Sequence, residues 1–154
     1  MRLLNAIAVS AITLSVLFQP ALAAKDPNEV AIGARQSYMK MVVFNAGPLF
    51  GMAKGKMDYN NALAGELAAN LQQLSEMNTA RMWRKGSDHD NYDGSDALPE
   101  IWLSLEKFQQ REQALKDAIA ALAPVAGDGL EALLGKVNGL GKACKSCHDD
   151  FRAE

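Results

Sequence analysis

Apolar residues recur at steps of three and four over most of the chain, which is the spacing of one face of an α-helix. A first helix is predicted to begin at Asp26, because this acidic N-cap precedes a proline and is followed three residues later by a glutamate. Gly47 and Pro48 are predicted to kink or interrupt it, and Gly55 to end it. The residues predicted to share its inner face are Ile32, Gln36, Met39, Val43 and Ala46.

Two more helices are predicted from similar signals. Asp58 can cap a second helix that frays near Arg84, and a polar, glycine-containing loop over residues 85–97 follows it. Pro99 opens a third helix and Pro124 stops it. The apolar stripe of the second helix is Leu63, Leu67, Leu71, Leu74 and Met77, and that of the third is Ile101, Leu105, Phe108, Leu115, Ile119 and Leu122.

A last helix is predicted after Asp128, with an inner stripe that runs to the end of the chain. Four amphipathic helices with short connections, none of them hydrophobic all round, are buried most simply in a bundle. The sequence therefore predicts an all-α fold, an antiparallel up-and-down four-helix bundle. The predicted inner residues of the last helix are Leu130, Leu134, Val137, Gly141, Cys144, His148 and Phe151.

The N-terminus is typical of an export signal. Arg2 gives a positive start, residues 3–18 are an apolar run, and Ala21-Leu22-Ala23 is a small-residue cleavage site. The run is shorter than the ~20 apolar residues of a membrane span. We therefore expect residues 1–23 to be cleaved, leaving residues 24–154 as one periplasmic domain without a membrane span.

Composition narrows the functional classes. The chain is 49% hydrophobic and 22% charged with a net charge of −2, as expected for an ordinary globular domain. No basic stripe is present, so nucleic-acid binding is not expected. No nucleophile-base pair, paired acids or phosphate-binding glycine loop stands out, so no enzyme activity is expected.

The two cysteines form the run Cys144-Lys145-Ser146-Cys147-His148, the signature of covalent haem attachment in c-type cytochromes. On a helix, residues three apart differ by about 4.5 Å of rise and lie nearly on one face, so both sulfurs can reach one porphyrin edge. His148 then projects from the same surface and is predicted to be an axial ligand of the iron.

A disulfide or a thiol-disulfide exchange site is the alternative use of the same cysteine pair. Such sites usually lie at the start of a helix beside a βαβ pattern, whereas here no strand is predicted before the pair. A closed zinc site is weaker still, because it needs four ligands and the other histidine, His89, lies in the polar loop.

These segments together resemble one family, the class II cytochromes c, which comprises cytochrome c′ and its methionine-ligated low-spin relatives. The sequence GKACKSCHDDFR at 141–152 is similar to the family's last helix, ALPEIW at 97–102 to the start of its third, and RQSYMK at 35–40 to its first. The resemblance spans essentially all of residues 24–154. Ser95 and the pair Trp83-Arg84 depart from the residues that are commoner in the family.

The resemblance implies further roles. Arg35 and Gln36 would approach the haem edge or its propionates, and Arg152 would lie beside the proximal imidazole. Met39 would face the distal side of the iron. By analogy, the family also implies a homodimer formed through the first two helices.

The role of Met39 distinguishes between two possible functions. If its thioether is the sixth ligand, the iron is low-spin, which suits one-electron transfer to a periplasmic redox partner, and this is the main hypothesis. If Met39 is only a core methionine that fills space, the iron is five-coordinate and open to nitric oxide or carbon monoxide.

Overall fold

A computed structural model describes residues 25–154, so the predicted signal segment, residues 1–23, lies outside the described residues. The helices are α1 Pro27–Ala53, α2 Asn61–Ser75, the single turn α3 Glu100–Leu103, α4 Leu105–Leu122 and α5 Leu130–Phe151. Helix α1 packs on α2 and α5, and α4 packs on α2 and α5. The predicted all-α four-helix bundle is confirmed. No helix in this part of the chain is both long and apolar enough to cross a bilayer.

Helix α1 begins as the sequence predicts, but it is not interrupted. The carboxylate of Asp26 accepts a hydrogen bond from the backbone N–H of Asn28 at 2.8 Å. The helix passes through Pro48 and ends at Ala53, close to Gly55, whose φ of 65° suits glycine. Pro48 has no backbone N–H, so one intrahelical hydrogen bond is missing there, and the hydrogen bonds on either side of it keep the helix continuous.

The starts of α2 and α5 differ from the predictions. The side chain of Asn60, rather than Asp58, caps α2 by accepting a hydrogen bond from the N–H of Leu63 at 2.9 Å. Helix α2 ends at Ser75, well before Arg84, and residues 80–82 form a separate 3₁₀ turn. Helix α5 begins after Gly129, whose φ is 139°, rather than from a cap at residue 128.

The predicted third helix is broken near its start. Ser104 separates α3 from α4, and its backbone leaves the helical region with φ −131° and ψ 52°. Ile101 and Phe108, on either side of the break, are both buried, whereas Leu105 is 53% exposed. The prediction that Leu105 lies on the buried stripe was therefore wrong.

The burial pattern also corrects the first and last helices. Val43 of α1 is exposed, and so, to about 40%, are Leu130 and Leu134 of α5. In α5, Leu133 and Leu140 are fully buried instead. The sequence offers leucines on neighbouring faces of this helix, and packing against α1 and α4 selects between them.

Two apolar clusters form the interior. We call the first the main core; it lies between α1, α2, α4 and α5. We call the second the terminal cluster; it lies where α3 and α4 meet the end of α5. The buried members of the terminal cluster are Ala97, Ile101, Phe108 and Phe151, and Trp83, Trp102 and Cys147 pack against them.

Candidate haem attachment site

The Cys-x-x-Cys-His run lies near the C-terminal end of α5, at the boundary between the two clusters. Cys144 packs against the main core and Cys147 against the terminal cluster. Both cysteines are half-buried, and they do not form a disulfide with each other. The two sulfurs are therefore presented at the border between two apolar surfaces, which suits a large apolar ligand held along one edge.

Electrostatics disfavour a thiol-exchange role for this pair. Burial raises the pKa of the Cys144 thiol, and it raises the pKa of Cys147 to about 11. The attacking species in disulfide exchange is the thiolate, and reactive cysteines have lowered pKa values. The thiols in this bundle are therefore poor nucleophiles at neutral pH.

His148, the predicted iron ligand, is half-buried on the same segment. Burial lowers its pKa, the positive charge of Arg152 lowers it further, and Asp149 acts in the opposite direction. Arg152 is exposed at the end of α5, and its backbone N–H donates to the carbonyl of His148 at 3.0 Å. Neutral imidazole, which these effects favour, is the form that binds metals.

The end of α5 is tied to α4 by two ion pairs that the sequence pattern does not predict. The Asp150 carboxylate accepts hydrogen bonds from Lys107 Nζ at 2.7 Å and from Arg111 Nε at 2.9 Å. These two bonds hold the pKa of Asp150 below its usual range. Asp149, by contrast, lies on the surface and is paired with Lys145, one turn earlier in the same helix.

The structure places Arg35 and Gln36 against the loop that follows α2. The buried Arg35 guanidinium donates to acceptors on Ser87 and Ser95, and Gln36 Nε2 donates to the carbonyl of Gly94 at 2.7 Å. Met39, one turn further along α1, is half-buried. The haem contacts expected of these three residues remain predictions.

An aromatic column, also missed from the sequence, lines the terminal cluster beside Cys147. Trp83 meets Phe108 edge to face at a centroid distance of 4.8 Å, and Phe108 meets Phe151 in the same way at 5.4 Å. The indole N–H of Trp83 is buried and has no hydrogen-bond partner within residues 25–154. Apolar walls, two thiols, an imidazole and an unpaired donor match a haem, which is an apolar macrocycle with carboxylate substituents.

Comparison with known sequences decides between the possible uses of this site. A sequence profile described as Cytochrome C' matches residues 30–152. The chain belongs to the cytochrome c′ family. It is therefore a c-type cytochrome, and its cofactor is one covalently attached haem c with iron, as the sequence predicted.

Individual cytochromes c′ are similar to this chain over most of their length. The chain is 38% identical over 135 residues to cytochrome c' of Cereibacter sphaeroides, which covers 88% of the chain and 91% of that protein. A solved structure of cytochrome c' from Rhodobacter Spheriodes is 38% identical with a TM-score of 0.81, covering 82% of this chain and 98% of that one.

Cytochrome c prime from Alcaligenes xylosoxidans is another relative of known structure. One of its variants is solved as a nitric oxide complex, with 30% identity, a TM-score of 0.71 and coverage of 82% of this chain and 96% of that one. A second variant is solved with carbon monoxide, with 30% identity, a TM-score of 0.72 and coverage of 84% and 98%.

Proposed function

We propose that this cytochrome carries single electrons in the periplasm through a haem tethered by Cys144 and Cys147, with His148 as an axial ligand of the iron. The observation that carries the proposal is the arrangement on α5 of two half-buried cysteines and an imidazole, at the border of two apolar clusters. Cleavage of residues 1–23 would deliver residues 24–154 to that compartment.

The bound haem supplies an iron that alternates between the ferric and ferrous states. The protein's part is to hold and shield it. Thioether bonds from both cysteines would prevent loss of the group, and the imidazole of His148, whose neutral form burial favours, would bind the iron. Apolar side chains of both clusters exclude water, which favours a fixed environment in both oxidation states.

Met39 is the candidate for the second axial position and decides between the two functions. Its half-buried place on α1 is compatible with a ligand or with a residue that only packs nearby. Binding of nitric oxide or carbon monoxide is the second candidate function. It is supported by the relative from Alcaligenes xylosoxidans, variants of which are solved with each of these gases.

Optical and electron paramagnetic resonance spectra of the purified holoprotein test the proposal. A low-spin ferric spectrum with a sulfur-to-iron charge-transfer band, lost in Met39→Ala, supports methionine ligation and electron transfer. Met41→Leu, which alters an exposed methionine of the same helix, is the matched control and should keep the band. A high-spin spectrum that changes on addition of carbon monoxide supports the gas-binding function instead.

Haem attachment at the assigned residues is tested by mass spectrometry of the exported protein. The expected result is the mass of one haem added to the peptide that contains Cys144 and Cys147. An unmodified peptide, or one in which the two sulfurs form a disulfide, would contradict the proposal. His148→Ala should retain the covalent haem but lose the spectral signature of its axial imidazole.

A homodimer formed through α1 and α2 is part of the same proposal. These helices border an apolar groove in which Phe44 is 70% and Met41 49% exposed. Leu74 of α2 and Met77, two residues after the end of α2, continue it; Met77 is exposed, so its predicted place on the buried stripe was wrong. An exposed apolar patch of this kind marks association surfaces. Sedimentation equilibrium should show a dimer that Phe44→Glu dissociates, whereas Val43→Glu, exposed but outside the groove, should leave it intact.

A further inference from the structure

Arg35 is a buried cation, and its side-chain hydrogen bonds to the described part of the chain all reach one loop. Its side chain donates to Met82 O at 3.2 Å, to Ser87 Oγ at 2.8 Å, to Ser87 O, and to Ser95 Oγ at 2.6 Å. The residue is only 4% exposed, and burial lowers its pKa while Asp88 and Asp96 oppose that change through their charges. Such a buried charge is costly unless its donors are satisfied, and four acceptors on the loop satisfy them.

The loop continues directly into contact with the end of the haem-bearing helix. Ser95 Oγ accepts from the N–H of Ala97 at 3.3 Å and donates to Ser87 O at 2.9 Å. Just beyond, the N–H of Leu98 donates to Phe151 O at 3.0 Å, and the N–H of Ala153 donates to Asp96 O at 2.8 Å. Residues 96–98 thus pair with residues 151–153, three to five positions after His148.

A series of contacting aromatic rings also connects Arg35 with the end of α5. The Arg35 guanidinium lies over the ring of Trp83, 5.5 Å from its centroid. Trp83 contacts Phe108, and Phe108 contacts Phe151. The indole of Trp102 also donates to the carbonyl of Trp83 at 3.1 Å, which fixes the backbone at this point.

We propose that Arg35 is a positioning residue for the axial imidazole: from α1 it holds residues 82–95, and this loop in turn fixes the end of α5 that carries His148. The inference rests on the proposed function, because it concerns the residue assigned as iron ligand. The role proposed here is additional to the expected contact between Arg35 and the haem, because the guanidinium acts on His148 through Ser87 and Ser95. The forked shape of the guanidinium is essential, because a lysine keeps the charge but cannot serve several acceptors in a plane.

The test compares Arg35→Lys with Ser95→Ala in the full holoprotein. Each removes one or more of the loop bonds, and only the first changes the guanidinium. Hydrogen exchange at the amides of Leu98 and Ala153 should become faster by about tenfold or more in both variants. The ferric optical and electron paramagnetic resonance spectra should shift in the same direction in both, reporting a changed orientation of His148.

Tyr59→Phe is the matched control. Its hydroxyl makes two hydrogen bonds at the opposite end of the bundle, to Ala126 O and from the N–H of Gly129. That end is about 28 Å from His148 along α5, at 1.5 Å per residue. The control should lose stability but keep the haem spectra unchanged.

Three results would overturn the proposal. A spectral shift in Arg35→Lys but not in Ser95→Ala would mean that the guanidinium acts on the haem site only by direct contact and not through the loop. Unchanged spectra in both variants, or an equal shift in Tyr59→Phe, would mean that the loop does not position the imidazole. If Arg35→Lys fails to mature, Ser87→Ala replaces it. The haem mass is measured on every variant, so failure of the proposed function is recognised separately by a missing haem mass.

Discussion

Tyr59 provides a quantitative test of how the end of the bundle remote from the cysteines is held together. It lies in the connection between α1 and α2, and its hydroxyl donates to Ala126 O at 2.9 Å and accepts from the N–H of Gly129 at 2.9 Å. Both partners belong to the turn between α4 and α5. One oxygen atom therefore joins the two connections at that end.

The substitution Tyr59→Phe removes only this oxygen and leaves the half-buried ring in place. Each hydrogen bond contributes about 1 kcal/mol net, so the free energy of unfolding should fall by about 2 kcal/mol. With a urea m-value of about 2 kcal/mol/M, the unfolding midpoint should fall by about 1 M. The slope m should not change, because the variant exposes the same surface when it unfolds.

Equilibrium urea unfolding of the holoprotein, followed by far-ultraviolet circular dichroism, measures this loss. Tyr92→Phe is the control, since its hydroxyl makes one exposed hydrogen bond to Asp26, and its loss should be smaller. A loss below about 0.5 kcal/mol for Tyr59→Phe would refute the argument that these two bonds hold the connections together. A changed m-value would show instead that the variant alters the native or denatured ensemble.

Three further predictions concern the helix ends. Asn60→Ala should lower the free energy of unfolding by about 1 kcal/mol through loss of the α2 cap, whereas Asp58→Ala should have little effect in the same urea titration. Gly129→Ala should destabilise the protein because the φ of Gly129 is 139°. Gly139→Ala, in open space inside α5, should stabilise the protein by about 1 kcal/mol. Thermal unfolding measures both effects, and equal shifts of the melting temperature would contradict the backbone argument. Because the folded-state pKa of Asp150 lies below its unfolded value, its ion pairs stabilise the protein at neutral pH, and this contribution disappears as the pH falls through the lowered pKa. Asp150→Asn should therefore be less stable at pH 7, and its stability should depend less on pH in the acid range below about pH 4, which unfolding at several pH values will check.

The sequence alone was enough to predict the class of fold and the cofactor. Helical periodicity is a local property, since residues three and four apart share a face whatever the helix packs against. The cap at Asp26 is local for the same reason, as its acceptor and donor are two residues apart. The haem motif is more local still: Cys144, Cys147 and His148 lie within five consecutive residues, so their order already implies their chemistry.

Only the tertiary structure decided which of several equivalent local choices is used. The α5 sequence places leucines on adjoining faces, and packing against the other helices buries Leu133 and leaves Leu134 partly exposed. Asn60 and Asp58 are both good N-cap residues, and the position at which α2 begins selects between them. The spacing of residues along the chain is the same whichever alternative is used, so the spacing cannot reveal which one the fold selects.

The supports of the haem site were decided entirely by contacts between distant parts of the chain. Arg35 bonds to Ser95, 60 residues away, and Asp150 bonds to Lys107, 43 residues away. No periodic pattern records such pairs, because they form only after the helices and the loop have packed. The sequence determined what can be bound, through local chemistry, whereas the three-dimensional packing determined what holds the binding residues in place.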